Sequence, residues 1–209
     1  NAQGQFNEME YGKTQTVFHL NASSTPKLRL YKSGQGGKPF KTIMMQAIGN
    51  DRWEATVKGN LAGMFYTFDI GKGECPGTFA KAVGVNGNRG AILNMADDRR
   101  PALASPADQI IYELHMRDFS ISPTSGMKHQ GKYLALTEPR AIAYLKSLGI
   151  NAIHFQPLFD YASVDETQLH RPQFNWGYDP KNYNVPEGSY STDPYKPEVR
   201  IREFKTMVQ

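Results

Sequence analysis

The hydrophobic pattern of this sequence changes its period near residue 110. Before that point, short segments alternate apolar and polar residues between Gly-rich turns, which is typical of strands with one buried face. After it, two nearly continuous apolar segments flank an amphipathic helix, which is typical of a parallel β-α-β unit. The sequence therefore predicts two domains, a small antiparallel β-sandwich over residues 1–105 and a parallel α/β domain over residues 106–209.

Four segments of the first half carry β-branched or aromatic residues in rough alternation. They are Thr16–Leu20, Lys27–Tyr31, Trp53–Val57 and Met64–Ile70. Glycines cluster between these segments, where turns use backbone conformations that other residues rarely adopt. None of the clusters has the spacing or the Lys-Ser or Lys-Thr ending of a phosphate-binding loop, so we interpret them as hairpin turns.

The second half begins with a predicted strand, helix and strand. The strands are Ile110–His115 and Asn151–Gln156. Between them, Thr137 is suited to cap a helix, Pro139 is tolerated in its first turn, and Gly149 ends it. The apolar stripe of this helix comprises Ala141, Ile142, Leu145 and Leu148. Because a helix returns the chain to the same end of the sheet, the two strands should be parallel.

A second helix is predicted over residues 197–209. Its apolar face comprises Ile201, Phe204, Met207 and Val208. Two parallel strands by themselves would leave open edges and uncovered faces, which folded proteins avoid. We therefore expect further strands, from a longer protein or from a second polypeptide chain, to complete the sheet.

Charge and cysteine content exclude several classes of protein. Lys and Arg number 24 against 20 Asp and Glu, a net charge of +4, and the basic residues are scattered. Because nucleic-acid binding needs a contiguous basic face, no nucleic-acid partner is expected. The single cysteine, Cys75, excludes an intramolecular disulfide and a cysteine-built zinc site. The most apolar stretch, residues 141–159, is interrupted by polar residues, so no membrane span is predicted. The sequence does not decide between a cytoplasmic, a periplasmic and a secreted protein.

Seven carboxylates of the second half are candidates for acid–base chemistry. They are Glu113, Asp118, Asp160, Asp165, Glu166, Asp179 and Glu187. No pair among them has a spacing that indicates a catalytic dyad. Glu113, His115 and Arg117 alternate from the end of the first strand and should share one face, with Asp118 on the other side. This pattern fits either a polar cluster above a barrel strand or a salt-bridged support.

Metal ligands are not predicted. The histidines are too dispersed for a zinc site, and a single histidine such as His154 is more often packed and hydrogen-bonded than a ligand. The Asp and Asn residues form no recognised calcium pattern, so calcium binding is not predictable from the sequence.

The most informative segment is residues 174–183, within a Pro-rich stretch that is long for a plain connection. Its first part, residues 174–180, is called the aromatic loop. It combines large flat side chains with an amide and a carboxylate, and Gly177 and Pro180 constrain its shape. Such a set suits a sugar, because aromatic rings cover the apolar face of a pyranose while amides and carboxylates hydrogen-bond its hydroxyls. A loop that packs on its own aromatic residues is an equally good interpretation of the composition.

The aromatic loop, Phe174-Asn175-Trp176-Gly177-Tyr178-Asp179-Pro180, closely resembles the Tyr-Asn-Trp-Gly-Tyr-Asp-Pro signature of type I pullulanases, which are debranching enzymes of the α-amylase superfamily, glycoside hydrolase family 13. Residues 111–120 are similar to the first barrel strand of that family, and residues 156–166 to the end of its second strand with the following loop. Residues 59–66 more weakly resemble the last strands of the immunoglobulin-like module, of the carbohydrate-binding module 48 type, that precedes such barrels. Phe174 replaces the usual Tyr of the signature, which removes a hydroxyl and keeps the ring.

This resemblance implies a multidomain fold, an immunoglobulin-like β-sandwich followed by the first βα units of a (β/α)8 TIM barrel. It implies retaining hydrolysis of α-1,6-glucosidic bonds in pullulan, amylopectin and limit dextrins, with an α-glucan as substrate and no cofactor. Tyr178 would stack on the glucosyl ring beside the scissile bond, and Asp179 would hydrogen-bond nearby. Trp176 and Asn175 would shape the pocket wall.

The resemblance also implies what this chain lacks. The catalytic Asp, Glu and Asp of such a barrel belong to later strands, so we expect no catalytic residue here and no activity from the chain alone. The expected partner is the remaining C-terminal barrel segment.

Two alternatives stay open. One is a non-catalytic glucan-binding protein that uses Trp53 and Tyr66 of the sandwich as a sugar platform, although aromatic residues of β-sandwiches are more often core. The other is a related glycogen debranching or branching enzyme with the same barrel and another bond preference.

Overall fold

The computed structural model describes residues 7–95 and 105–209. The described chain divides into two compact units, and strands predominate over helices in it. The first unit contains residues 7–95 with the later segments 181–185 and 195–197. The second contains residues 105–180, 186–194 and 198–209.

The strands up to residue 95 are short and antiparallel. They are β1 (Met9–Glu10), β2 (Gln15–Asn21), β3 (Lys27–Tyr31), β4 (Lys41–Met44), β5 (Gln46–Gly49), β6 (Arg52–Lys58), β7 (Phe65–Asp69), β8 (Glu74–Cys75) and β9 (Gly90–Ala91). One sheet has the order β1-β2-β6-β5, and the other has the order β4-β3-β7-β8, with β9 also paired to β7. The four strands predicted from alternation are confirmed as β2, β3, β6 and β7. Strands β4 and β5 were not predicted, because both are mostly exposed and carry no alternation of buried and exposed residues.

An apolar core lies between these two sheets. In one sheet the register sets Leu28 opposite Phe68. Phe18 of the other sheet meets Tyr66 edge-on, with ring centroids 5.1 Å apart. Buried residues of both sheets belong to the same hydrophobic cluster, so burial on facing surfaces closes the first unit.

The two aromatic residues considered as a sugar platform belong to this core. Tyr66 is only 1% exposed, and its hydroxyl donates to the buried Glu8 carboxylate at 2.6 Å. The Trp53 indole packs against the same core and donates to the Ala22 carbonyl at 2.8 Å. The platform hypothesis is therefore wrong for these residues, because both point inward from their strands.

The later elements of the described chain are four strands and two α-helices. They are β10 (Ile111–Leu114), α1 (Pro139–Ser147), β11 (Ala152–Phe155), β12 (Phe159–Tyr161), β13 (Pro180–Pro186) and α2 (Pro197–Val208). Short 3-10 helices span Val85–Gly87, Pro106–Asp108, Pro123–Ser125, Tyr133–Thr137 and Glu166–Gln168. No helix within the described residues has the length and apolar character needed to cross a membrane.

The predicted strand, helix and strand are confirmed, and β10 pairs with β11 in parallel. The predicted cap of α1 is wrong. Glu138 is the N-cap, because Pro139 takes the first helical position, and the Thr137 hydroxyl instead donates to the Leu134 carbonyl at 2.7 Å. Gly149 adopts φ +69 just after the helix, as predicted for the residue that ends it.

The apolar faces of this region are only partly covered. In α1, Ala141 is buried, whereas Ile142 and Leu148 of the predicted stripe are exposed. Ile111 of β10 is 58% exposed. Within the described residues, β10 and β11 form a two-stranded sheet, so there is too little surface to cover these side chains.

Helix α2 has the predicted position and a different buried face. Phe204 and Met207 pack against the apolar cluster of the second unit, but Val208 is exposed. The buried residues of the helix include Arg200 and Glu203. The predicted face is confirmed for Phe204 and Met207 and wrong for Val208, and the two buried charged side chains have polar partners inside the unit.

Candidate functional site

The aromatic loop presents its large rings to solvent. Phe174 is 81% exposed, Trp176 59% and Tyr178 50%. Large aromatic residues normally lose most of their exposure on folding, and a group of exposed rings marks a surface that binds something. The rings do not fill a core of their own, which favours the sugar-binding interpretation over the self-packed loop.

Gly177 bends the loop between Trp176 and Tyr178. Its backbone has φ +77, a left-handed conformation that costs other residues free energy. An added Cβ would also lie 2.7 Å from Cδ of Pro157, closer than van der Waals contact allows. Both the backbone conformation and the lack of space therefore require glycine at this bend.

A buried tyrosine anchors the side chain of Asn175 through a hydrogen bond. The Tyr161 hydroxyl donates to Oδ1 of Asn175 at 2.6 Å. The Tyr161 oxygen also lies 3.2 Å from the Tyr190 hydroxyl and 3.4 Å from the Ser189 hydroxyl. Burial, and secondarily the nearby Glu187 carboxylate, raises the pKa of Tyr161 to about 12, so its hydroxyl keeps its proton at neutral pH. Nδ2 of Asn175 is buried and has no hydrogen-bond partner among the described residues.

Asp179 closes the loop. Its backbone carbonyl accepts a hydrogen bond from the Ala162 N–H at 3.1 Å. Oδ1 of its carboxylate is buried and has no partner within the described part of the chain. A buried oxygen of this kind calls for a donor, from water, from a ligand or from another segment. The four predicted site residues thus lie on one loop, with Trp176 and Tyr178 exposed and Asn175 and Asp179 half-buried.

A cavity of about 210 Å³ adjoins Asn175 in the second unit. Ser189 and Tyr190 line it, and so do the cationic side chains Arg117, Lys132 and Arg171. Its described lining contains no acidic side chain. Burial lowers the pKa of Lys132, whose ammonium donates to the Ser189 carbonyl at 2.7 Å. The wall is therefore rich in donors for a ligand with many oxygen acceptors.

Three of the candidate carboxylates meet in the interior rather than at the aromatic loop. Asp160, Glu166 and Glu187 each offer an oxygen within 4.8 Å of the others. Arg200 of α2 pairs with Asp160 at 3.3 Å and with Glu166 at 2.7 Å, and these side chains are 1% exposed. Glu187 accepts the N–H groups of Tyr161 at 2.8 Å and Ser189 at 3.1 Å.

The charges of this cluster are set by burial and by one another. Burial raises the pKa of Glu187 well above its ordinary value, and the neighbouring Glu166 and Asp160 raise it further. Burial opposes the charge of Arg200, but the surrounding carboxylates outweigh it and raise the pKa of the guanidinium. The guanidinium of Arg200 already pairs with two of the three carboxylates, and these side chains are closed to solvent. We therefore interpret the cluster as a buried ionic support and not as a metal centre or a catalytic dyad.

Comparisons with known proteins cover almost the whole chain. No protein-family model matches it. It is 36% identical over 215 residues to a pullulanase of Bacillus subtilis (strain 168), a match that covers 95% of this chain and 30% of that protein. A variant of the pullulanase from Paenibacillus barengoltzii, solved with maltotriose, has a similar structure with a TM-score of 0.90 and 41% identity, covering 98% of this chain and 36% of that chain.

This chain is homologous to pullulanases. It spans about a third of the length of these pullulanases, with 30% and 36% of them covered. A chloroplastic isoamylase 3 of rice is 31% identical over 123 residues, which cover 56% of this chain and 16% of that protein.

In the present chain, the polar residues after β10 do not form the predicted face. The strand ends at Leu114, and a turn follows in which the Phe119 N–H donates to the His115 carbonyl at 3.1 Å. Arg117 consequently pairs with Asp118 at 3.2 Å, although the alternation put them on opposite sides. Glu113 instead lies 3.3 Å from Nδ1 of His154, which is exposed rather than packed.

Sequence reasoning missed Tyr161 and Arg200, the two residues that hold the surroundings of the pullulanase-like loop. Tyr161 follows Asp160 within a short apolar run and reads as core. Arg200 lies at helical spacing from Glu203, Phe204 and Met207. A basic residue in line with apolar positions was the available signal, and the five acidic residues from Asp160 to Glu187 were its candidate partners.

Proposed function

We propose that this chain is part of a starch-debranching glycoside hydrolase that cleaves α-1,6-glucosidic bonds in pullulan, amylopectin and limit dextrins with retention of configuration. The observation that carries the proposal is the exposed aromatic loop in a chain homologous to pullulanases, one of which was solved with maltotriose. The proposal concerns the complete protein, because the chain spans only about a third of those relatives.

Each residue of the loop has a role in sugar binding. Tyr178 stacks on the glucosyl ring beside the scissile bond, because the apolar face of a pyranose packs well on a flat ring. Trp176 and Asn175 form the wall of the pocket. Asp179 hydrogen-bonds near the bond to be cleaved, and its buried, unpartnered oxygen supports a role for this carboxylate beyond the loop itself. No cofactor is needed for this chemistry.

The proposed architecture assigns residues 1–105 to an immunoglobulin-like sandwich of the carbohydrate-binding module 48 type, and residues 106–209 to the first βα units of a (β/α)8 barrel. The parallel pairing of β10 with β11 and the exposed Ile111 support the barrel assignment. The catalytic Asp, Glu and Asp then lie in later barrel strands, in a remaining segment that is either continuous with this chain or a second polypeptide. A retaining mechanism needs two carboxyl groups about 5–5.5 Å apart across the bond, and the carboxylates buried around Arg200 are closed to a substrate.

The test is a debranching assay on pullulan, with the chain alone and with the remaining barrel segment restored. We expect release of maltotriose only from the complete protein. Tyr178→Ala should lower kcat/KM by at least about tenfold, because burying an aromatic side chain against a ligand is worth roughly 1.5–3 kcal/mol. Tyr195→Ala is the matched control, because Tyr195 is as exposed as Tyr178, at 49% and 50%, and lies outside the loop. Activity from the isolated chain would contradict the assignment of the catalytic residues to later strands.

A related debranching or branching enzyme is the second candidate, supported by the similarity to rice isoamylase 3. The products decide between them, because a pullulanase releases maltotriose from pullulan whereas a branching enzyme transfers chains without releasing it. A purely glucan-binding protein built on Trp53 and Tyr66 is not favoured, since both residues face the core.

A further inference from the structure

The aromatic loop has one side-chain hydrogen bond to its surroundings within the described residues. It joins the Tyr161 hydroxyl to Oδ1 of Asn175 at 2.6 Å. The exposed rings of Trp176 and Tyr178 carry no comparable restraint in the described part of the chain, so the orientation of the loop depends on Asn175, on the bend at Gly177 and on the backbone bond from Ala162 to Asp179.

Tyr161 is itself firmly fixed. It is buried, and its N–H donates to the Glu187 carboxylate at 2.8 Å. Its ring meets Tyr190 edge-on at 6.1 Å, and Tyr190 meets Tyr133 in the same way at 5.6 Å. Tyr133 in turn packs on Phe204 of α2 at 5.7 Å. The hydroxyl of Tyr161 therefore occupies a position set by a packed row of rings and not by the loop.

The Asn175 amide accepts this fixed donor and leaves its own Nδ2 buried without a partner in the described residues. A buried amide with one end unpaired is costly, and the structure retains it only because the other end is well bonded. Trp176 follows directly in sequence. The direction in which the Asn175 side chain is anchored thus sets where the chain enters the exposed part of the loop.

We propose that Tyr161 is a positioning residue for the sugar-binding loop and acts through Asn175. This inference rests on the proposed function, because it supplies the reason for fixing the rings. A loop ordered before the glucan arrives loses less conformational freedom on binding, so the hydroxyl strengthens glucan binding without touching the sugar.

The experiment uses the two tryptophans of the chain, Trp53 and Trp176. In a Trp53→Phe background, all indole fluorescence comes from the loop. We expect Tyr161→Phe to raise acrylamide quenching of Trp176 by about twofold, since a segment with fewer hydrogen bonds to the core opens more often. Tyr133→Phe is the matched control, because it also removes one buried hydroxyl, bonded to the Glu187 carbonyl at 2.8 Å, and does not touch the loop.

Two results would overturn the proposal: unchanged quenching in Tyr161→Phe, or an equal rise in both variants. If Tyr161→Phe loses its far-UV circular dichroism, Asn175→Ala replaces it, because that residue is half-buried and its loss leaves the row of rings intact. Asn175→Ala should raise quenching to the same extent. Where both variants fold, the double variant should add nothing, and additive effects would contradict an action of Tyr161 through Asn175.

The quenching measurement contains no glucan, so its outcome is independent of the proposed debranching activity. In the complete protein, Tyr161→Phe should raise KM for pullulan by a larger factor than it lowers kcat. If Tyr161→Phe raises quenching but the complete protein has no debranching activity, the proposed function is rejected and the positioning role stands. If the complete protein is active but quenching is unchanged, the positioning role is rejected and the proposed function stands.

Discussion

The two compact units are stabilised by different chemistry. The first encloses an apolar core between two antiparallel sheets, with Phe18, Leu28 and Phe68 fully covered. The second has at its centre an arginine surrounded by three carboxylates, and it leaves Ile111 and Ile142 exposed. Both units have a buried apolar cluster and some exposed apolar side chains, but the second adds a buried group of charged side chains to its apolar cluster.

The two kinds of interior suit the units to different roles. An apolar core gives stability from within one unit. A buried ionic cluster adds little net stability but fixes geometry, because each charged group has a small set of acceptable partners. In the second unit that geometry holds the segments around residues 160, 187 and 200, between which the loop-bearing part of the chain runs.

Removal of the Arg200 guanidinium should destabilise the protein more than any other change considered below. Arg200→Met leaves three buried carboxylates without their counter-charge and should destabilise the second unit by roughly 3–5 kcal/mol. The first unit should keep its stability, since its apolar core is built from other residues. Denaturant unfolding followed by Trp176 in a Trp53→Phe background measures the second unit, and Trp53 in a Trp176→Phe background measures the first.

Arg202→Met is the control for this change. Arg202 is exposed on the same helix, so the substitution alters helix propensity and net charge equally and leaves the cluster intact. Equal loss of stability in the two variants would contradict a specific role of the ionic cluster. A parallel loss in the first unit would show that the cluster also supports that unit.

An intermediate effect is expected from pH. The pKa of Glu187 is raised in the folded chain by burial and by its carboxylate neighbours, so the folded state binds this proton more tightly than the unfolded state does. The stability of the second unit should therefore fall as pH rises from the ordinary carboxyl value of 4.5 toward the raised value, and stay constant above it.

Glu187→Gln isolates this contribution, because glutamine keeps a carbonyl oxygen and cannot ionise. The melting temperature of the variant minus that of the parent should become more positive between pH 4.5 and pH 8, while other titrating groups cancel in the difference. A difference that becomes more negative over this range would indicate that Glu187 is stabilised as a carboxylate.

The smallest effect is expected at the uncovered face. Ile111→Thr keeps a β-branched side chain and should change the stability of this chain by no more than about 0.5 kcal/mol, because the position is exposed. With the remaining barrel segment present, the same substitution should cost roughly 1–3 kcal/mol, since it would bury a hydroxyl in an apolar layer. Ile153→Thr on β11 serves as the comparison. Ile153 already packs against the apolar cluster of the second unit, so its substitution should be costly with and without the remaining barrel segment. Equal small effects of Ile111→Thr in both proteins would contradict the barrel assignment.

Much of the strand pattern followed from sequence because strands with one buried face must alternate. Lys27–Tyr31 was predicted with its observed bounds, and the parallel pair followed from two apolar runs on either side of a helix. The aromatic loop was singled out by its composition and by its resemblance to a family signature, whereas the exposure of its rings was left open. These features are local, so a few neighbouring residues suffice to indicate them.

The remaining features depend on partners that are distant in sequence. Arg200 lies 40 residues from Asp160, and Tyr161 lies 14 residues from Asn175. Neither pairing leaves a trace in spacing, because it depends on how loops fold back on each other. The cap of α1 failed for a different reason, since Glu138 uses its carboxylate for the backbone N–H groups of Lys128 and His129, which only the folded loop brings near.

The lone thiol of the first unit offers a practical consequence. Cys75 is exposed at the end of β8, so a maleimide dye would attach at one known place without mutagenesis. Burial of part of the side chain raises the pKa of this thiol, so labelling should be faster in mildly alkaline buffer. Energy transfer from Trp176 to such a dye, in a chain lacking Trp53, would turn the separation of the two units into a measurable distance.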